Sequence, residues 1–97
     1  MIKYELVIIV RPDLSDKEVN SVDNDMQDKI KLYAKITKSE CIGKKKMAYE
    51  IKKFKEGYYF VYDFEVEENK TQEAISETER YCRITDDIIK FITIKQD

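Results

Sequence analysis

The chain has no histidine, no tryptophan, one proline, two glycines and two cysteines among its 97 residues. Without histidine it lacks the commonest general base near neutral pH and the commonest metal ligand, so hydrolytic and zinc chemistry lose most of their usual participants. With glycine only at Gly43 and Gly57 there is no glycine-rich loop to cradle a nucleotide phosphate. Cys41 and Cys82 lie far apart and form no CxxC pair, and they read as small hydrophobes of a reducing compartment rather than as a disulfide or a metal site. No apolar run approaches the roughly 18 residues of a membrane span. The opening stretch MIKYELVIIVRPDL has no small-residue cleavage site and reads as a strand, not a signal peptide. Neither a cofactor, nor a metal, nor a membrane, nor a small-molecule substrate is expected.

What is present suffices for one core. An apolar share of 42% predicts a single domain over residues 1–97. The formal net charge of −2 conceals a segregation. From Lys44 to Lys55 there are six lysines against Glu50 alone, and from Asp63 to Glu79 seven carboxylates against Lys70 alone. Such a dipolar surface can turn a basic patch to phosphate while its acidic side stays in water.

Periodicity predicts the elements. Tyr4 to Val10 is a β-branched run ended by Arg11-Pro12. Ser15 and Glu18 have capping-box spacing, followed by Val19, Val22, Met26, Ile30 and Tyr33 at helical intervals. Residues 35–51 read as one long strand bent near Gly43, or two short ones, and 52–57 as a hairpin connection with Gly57 at positive φ. The aromatic run GYYFVYDF forms the third strand. Asn69, with Gln72 three residues on, suits the cap of a second helix carrying Ala74, Ile75, Thr78, Tyr81 and Cys82 on one side. Ile88 to Ile94 is the last strand. The order β-α-β-β-α-β predicts an α+β, ferredoxin-like fold: a four-stranded antiparallel sheet, first and third strands central, with both helices packed on one face.

The other face is left open, and Asp63 decides which side chains it shows. If Tyr58 and Phe60 pointed outward, as in a base-stacking RNA-recognition strand, Asp63 would enter the core without an evident partner, at several kcal/mol. The opposite parity buries Tyr58, Phe60, Tyr62 and Phe64 and leaves Asp63 and Glu65 outside. Tyr59 and Val61 then lie beside Val7 and Ile9 of the first strand, with Ile92 of the last. This is a contiguous apolar patch suited to a second protein or to a second copy of the chain. The acid pairs Glu67-Glu68 and Asp86-Asp87 read as solvated turns, and Tyr49, alternating with Met47 and Ile51, as a packing residue.

The stretch GKKKMAYEIKKFKEGYY, Gly43 to Tyr59, resembles the central motif of the family of the sixth small-subunit protein of the bacterial ribosome. Tyr4-Glu5, Pro12 and RITDDIIKF fall where that family has matching features, and the similarity covers essentially the whole chain. Gly43, Lys45, Lys46, Ala48 and Tyr49 match the motif. Met47 replaces a leucine, Glu50 stands where proline is common, Cys41-Ile42 where tryptophan is often found, and Lys90 replaces an arginine. The resemblance implies a ribosomal protein rather than an enzyme. It implies binding to small-subunit (16S-type) ribosomal RNA in its central domain, as a heterodimer with the eighteenth small-subunit protein, on cytoplasmic or organellar ribosomes. Lys44, Lys45, Lys46, Lys52, Lys53 and Lys90 are then the expected phosphate contacts, and Val7, Ile9, Tyr59, Val61 and Ile92 the expected partner-protein surface. A ferredoxin-like dimeric sensor or enzyme would use the same open face to self-associate.

Overall fold

A computed structural model describes residues 1–96. The elements are β1 (Ile2–Val10), α1 (Asp16–Lys31), β2 (Lys35–Ile51), β3 (Phe54–Val66), α2 (Thr71–Ile84) and β4 (Ile88–Gln96). The strands pair antiparallel in the order β2-β3-β1-β4, which is the ferredoxin-like arrangement with β1 and β3 central.

Alternation along the central strands builds the core. Leu6, Ile8 and Val10 of β1 and Phe60, Tyr62 and Phe64 of β3 are buried, and they meet Val19, Val22, Met26 and Ile30 of α1 and Cys82 of α2. Helix α1 starts where its capping box dictates: Glu18 N–H donates to Ser15 Oγ at 3.2 Å, and Ser15 N–H donates to Glu18 Oε1 at 3.2 Å. The buried phenol of Tyr62 donates to Asp23 Oδ1 at 2.6 Å, which satisfies the one polar atom that this ring carries inside. Burial and the neighbouring carboxylate push the Tyr62 hydroxyl well above the ordinary phenol range.

Three local expectations are corrected. Asn69 does not cap α2. Residues Glu68–Lys70 form a 3-10 turn in which Lys70 N–H donates to Glu67 O, so Asn69 lies inside that turn, and the helix begins at Thr71 without a side-chain cap. The hairpin connection is shorter than 52–57. Ile51 pairs with Phe54, and the turn is Lys52 and Lys53 alone, at φ 49° and 71°. A two-residue turn with both φ positive matches the twist of the flanking strands.

Gly57 is not in the left-handed region. It is glycine because a Cβ there would sit 2.5 Å from Ile9 Cγ2 and 2.9 Å from the Val10 carbonyl oxygen. Gly43 does carry a positive φ, +101°, at the irregularity between Cys41 and Gly43 where β2 bends.

Candidate functional site

Cross-strand partners share a face, so the register assigns every side chain of the sheet. Val7 opposes Val61 and Ile92, Ile9 opposes Tyr59 and Lys90, and Glu5 opposes Asp63 and Ile94. All of these lie on the side away from the helices, as the parity argument requires. Asp63 is indeed outside the core, half-buried among its neighbours, with Oδ1 shielded and without a hydrogen-bond partner. Lys38, across from it on β2, instead holds its ammonium 3.6 Å from Glu40.

The apolar patch differs from the expected one at both ends. Val7, Tyr59 and Val61 are half-buried and Ile92 is 44% exposed. Ile9 is only 6% exposed. Alternation alone puts it at the surface, but the β2–β3 hairpin runs past the end of β1 and folds back over it. Ile9 therefore floors a cavity of about 190 Å³ with Val7, Tyr49, Ile51, Tyr59 and Ile92. A clasp holds this arm: the Lys90 ammonium donates to the Tyr49 hydroxyl at 3.3 Å and lies 5.4 Å from the centre of its ring. Tyr49 itself is 65% exposed, so it caps the arm rather than packing in a core. Ile94, 46% exposed, extends the patch along β4. The period of two that placed Ile92 outward also places Ile94.

The lysines do not form one patch. Lys45 opposes Gly57 and lies on the open side, whereas Lys44 and Lys46 oppose Tyr58 and Glu56 and lie on the helix side. Lys44 sits with its ammonium 5.2 Å from the Tyr58 ring centre. Lys52 and Lys53 occupy the arm's tip. Among the described residues, none of these lysines, nor Lys90, comes within 4 Å of a carboxylate; the ion pairs there involve Arg11, Lys38, Lys70 and Arg80. Unpaired cations on a chain of net negative charge remain available to an anionic partner.

A second cavity, of about 290 Å³, lies at the edge of β4 where the arm's tip meets the end of α2. Lys52, Arg83, Ile88, Lys90 and Phe91 line it. Arg83 had no part in the expected site, because its sequence neighbours mark it only as a basic residue in a last helical turn. No group of three or more metal-ligating side chains occurs among the described residues. Cys41 is exposed and Cys82 buried, both free. Burial pushes the Cys82 thiol up to about 12.

A split β-α-β sheet with a partly open apolar face and a cationic arm at its end defines a ferredoxin-like domain. Comparison with known proteins narrows the class. The family model for ribosomal protein S6 matches residues 3–95. The small ribosomal subunit protein bS6 of Heliobacterium modesticaldum is 35% identical over 98 aligned positions, covering 100% of this chain and 98% of that one. The protein of the same name from Carboxydothermus hydrogenoformans is 34% identical, covering 98% and 96%. The crystal structure of 30S ribosomal protein S6 from Thermotoga maritima superposes with a TM-score of 0.88 at 33% identity, covering 98% of this chain and 87% of that one. An Arabidopsis thaliana protein at 14% identity and a TM-score of 0.60 shares the fold alone. The chain belongs to the ribosomal protein S6 family, and is thereby a structural constituent of the small ribosomal subunit.

Proposed function

We propose that this chain binds small-subunit ribosomal RNA in its central domain together with the eighteenth small-subunit protein, on cytoplasmic ribosomes, during assembly and translation, and has no catalytic role. The observation that carries this reading is the juxtaposition of two surfaces. An apolar sheet face (Val7, Tyr59, Val61, Ile92) is exposed or half-buried beside a hairpin arm whose lysines have no carboxylate partner among the described residues. The face suits a protein and the arm suits phosphates. Family membership supports the assignment of both to the ribosome.

The test is retention of partners by the tagged chain, followed by identification of the bound RNA and protein. Val61→Asp places a carboxylate in the middle of the face and is expected to abolish the heterodimer while circular dichroism stays native. Lys45→Ala with Lys46→Ala is expected to weaken RNA assembly and flatten its salt dependence by about 0.7–0.9 in log–log slope for each phosphate that is no longer neutralised. A wild-type chain that forms a tight homodimer and retains no RNA would replace this reading with self-association through the same face.

A further inference from the structure

A hollow of about 460 Å³ along the arm sets Lys46 and Lys55 among Glu50 and Glu56 and is therefore electrostatically mixed. The 290 Å³ cavity at the edge of β4 is different. Its walls include Lys52, Arg83 and Lys90 and no carboxylate. These residues are remote in sequence and come from the arm's tip, the last turn of α2 and β4. Of the acids in the neighbouring segments, Asp13 pairs with Arg11 and Glu77 lies 3.6 Å from Arg80; Glu79, one turn before Arg83, makes no ion pair among the described residues. Of the chain's three arginines, Arg11 and Arg80 have carboxylate partners and Arg83 has none among the described residues.

Gathering cations without a counter-ion is unfavourable in the isolated chain. Lys52 is also held at φ 49°, a conformation that glycine or asparagine adopts more readily. Two structural roles for Arg83 are visible. It lies 6.0 Å from the centre of the Phe91 ring, and it complements the negative end of α2. Neither explains why Lys52 is brought to the same cavity.

We infer that Lys52 and Arg83, with Lys90 at the rim, form a seat for one phosphate of the RNA backbone, in which Arg83 supplies the two-pronged contact that lysine cannot make. The inference rests on the RNA-binding reading above. The Lys90 ammonium, held by Tyr49, marks the rim nearest the open face. The Phe91 ring, 6.0 Å from the guanidinium carbon, steadies Arg83 at the cavity without engaging its N–H donors, which leaves them for the bidentate contact that phosphate favours.

The test measures binding to in vitro transcribed 16S-type RNA across a salt series, with the eighteenth small-subunit protein present throughout. Arg83→Ala should lower affinity on the order of tenfold and reduce the salt slope by about 0.7–0.9, with a melting temperature only a few degrees lower through loss of the Phe91 contact and the helix-end charge. Arg83→Lys should restore the slope but not the affinity, because charge returns without the fork. Lys52→Ala should weaken binding, and the Lys52/Arg83 double variant should lose less than the sum of the two, since both would serve one phosphate. The Arg83 Nε–H resonance should shift on adding RNA and not with inorganic phosphate at equal concentration. An unchanged slope in Arg83→Ala, while Lys45→Ala/Lys46→Ala lowers it, would overturn the seat and leave RNA binding intact. An equal response to inorganic phosphate would overturn the RNA assignment in favour of a free anion. Failure of the wild-type pair to bind the RNA would remove the functional reading, and the seat with it.

Discussion

Replacing Gly57 by alanine probes the contact on which the arm and the open face both depend. The added methyl would lie 2.5 Å from Ile9 Cγ2, 2.9 Å from the Val10 carbonyl oxygen and 3.7 Å from Ile89 Cδ1. Ile9 borders the cavity that it floors and could turn part of the way into it, so the backbone contact decides the cost. The carbonyl belongs to a residue paired with both Tyr58 and Ile88, so it cannot swing away without breaking register. Overpacking of a tight site costs about 1–3 kcal/mol, and a backbone contact puts this case in the upper half, about 2–3 kcal/mol. For a domain of this size that corresponds to a fall in melting temperature of about 10–20 °C. Gly43→Ala is the control. A Cβ there meets nothing within 4 Å, and only its φ of +101° opposes the change, at about 1–2 kcal/mol. Chemical denaturation of both variants in parallel separates steric from conformational cost. The reasoning is refuted if Gly57→Ala lies within about 0.5 kcal/mol of wild type, or if Gly43→Ala is the more damaging of the two.

Further outcomes concern stability alone. Ser15→Ala removes the acceptor for Glu18 N–H and should cost about 1 kcal/mol by urea denaturation; a Glu18→Ala variant that loses as much again on top of it would show that the two arms of the box do not act together. The buried Cys82 thiol, pushed up to about 12, makes folding sensitive to alkali. Above about pH 9 the unfolded chain releases this proton and the folded chain keeps it. Stability contributed by the neutral thiol is therefore full below that pH and declines towards pH 12, with a slope approaching about 1.4 kcal/mol per pH unit. Cys82→Ala should show a flatter decline between pH 9 and 11 than wild type, whatever its stability at pH 7; equal slopes would sink the assignment.

Where an element is fixed by its own neighbours, the sequence was sufficient. Ser15 and Glu18 are three residues apart and cap one turn. Asp63 settled the parity of β3 because a carboxylate in the core would have been intolerable, and Phe60, Tyr62 and Phe64 are accordingly buried. Asn69 misled because its capping chemistry is real, but a 3-10 turn takes up Lys70 N–H first. Gly57 misled for a different reason: its requirement comes from Ile9, a residue of another strand, and no local signal distinguishes a missing Cβ from a positive φ. The curl of the arm was illegible for the same cause. Period two in Met47, Tyr49 and Ile51 says that they alternate, not that the hairpin bends until Tyr49 reaches Lys90. Arg83 remained hidden because its cavity exists only once that bend has brought Lys52 alongside.

Hairpin reach thus governs how much of the apolar face stays bare. Trimming two residues from each limb of β2 and β3 would keep the pleat in phase yet draw the tip back from β1. Ile9 would be bared, a greasier and wider platform would result, and the edge basin would lose Lys52. Loop length, rather than the sheet beneath, is the dimension along which relatives of this architecture could trade one docking area against another.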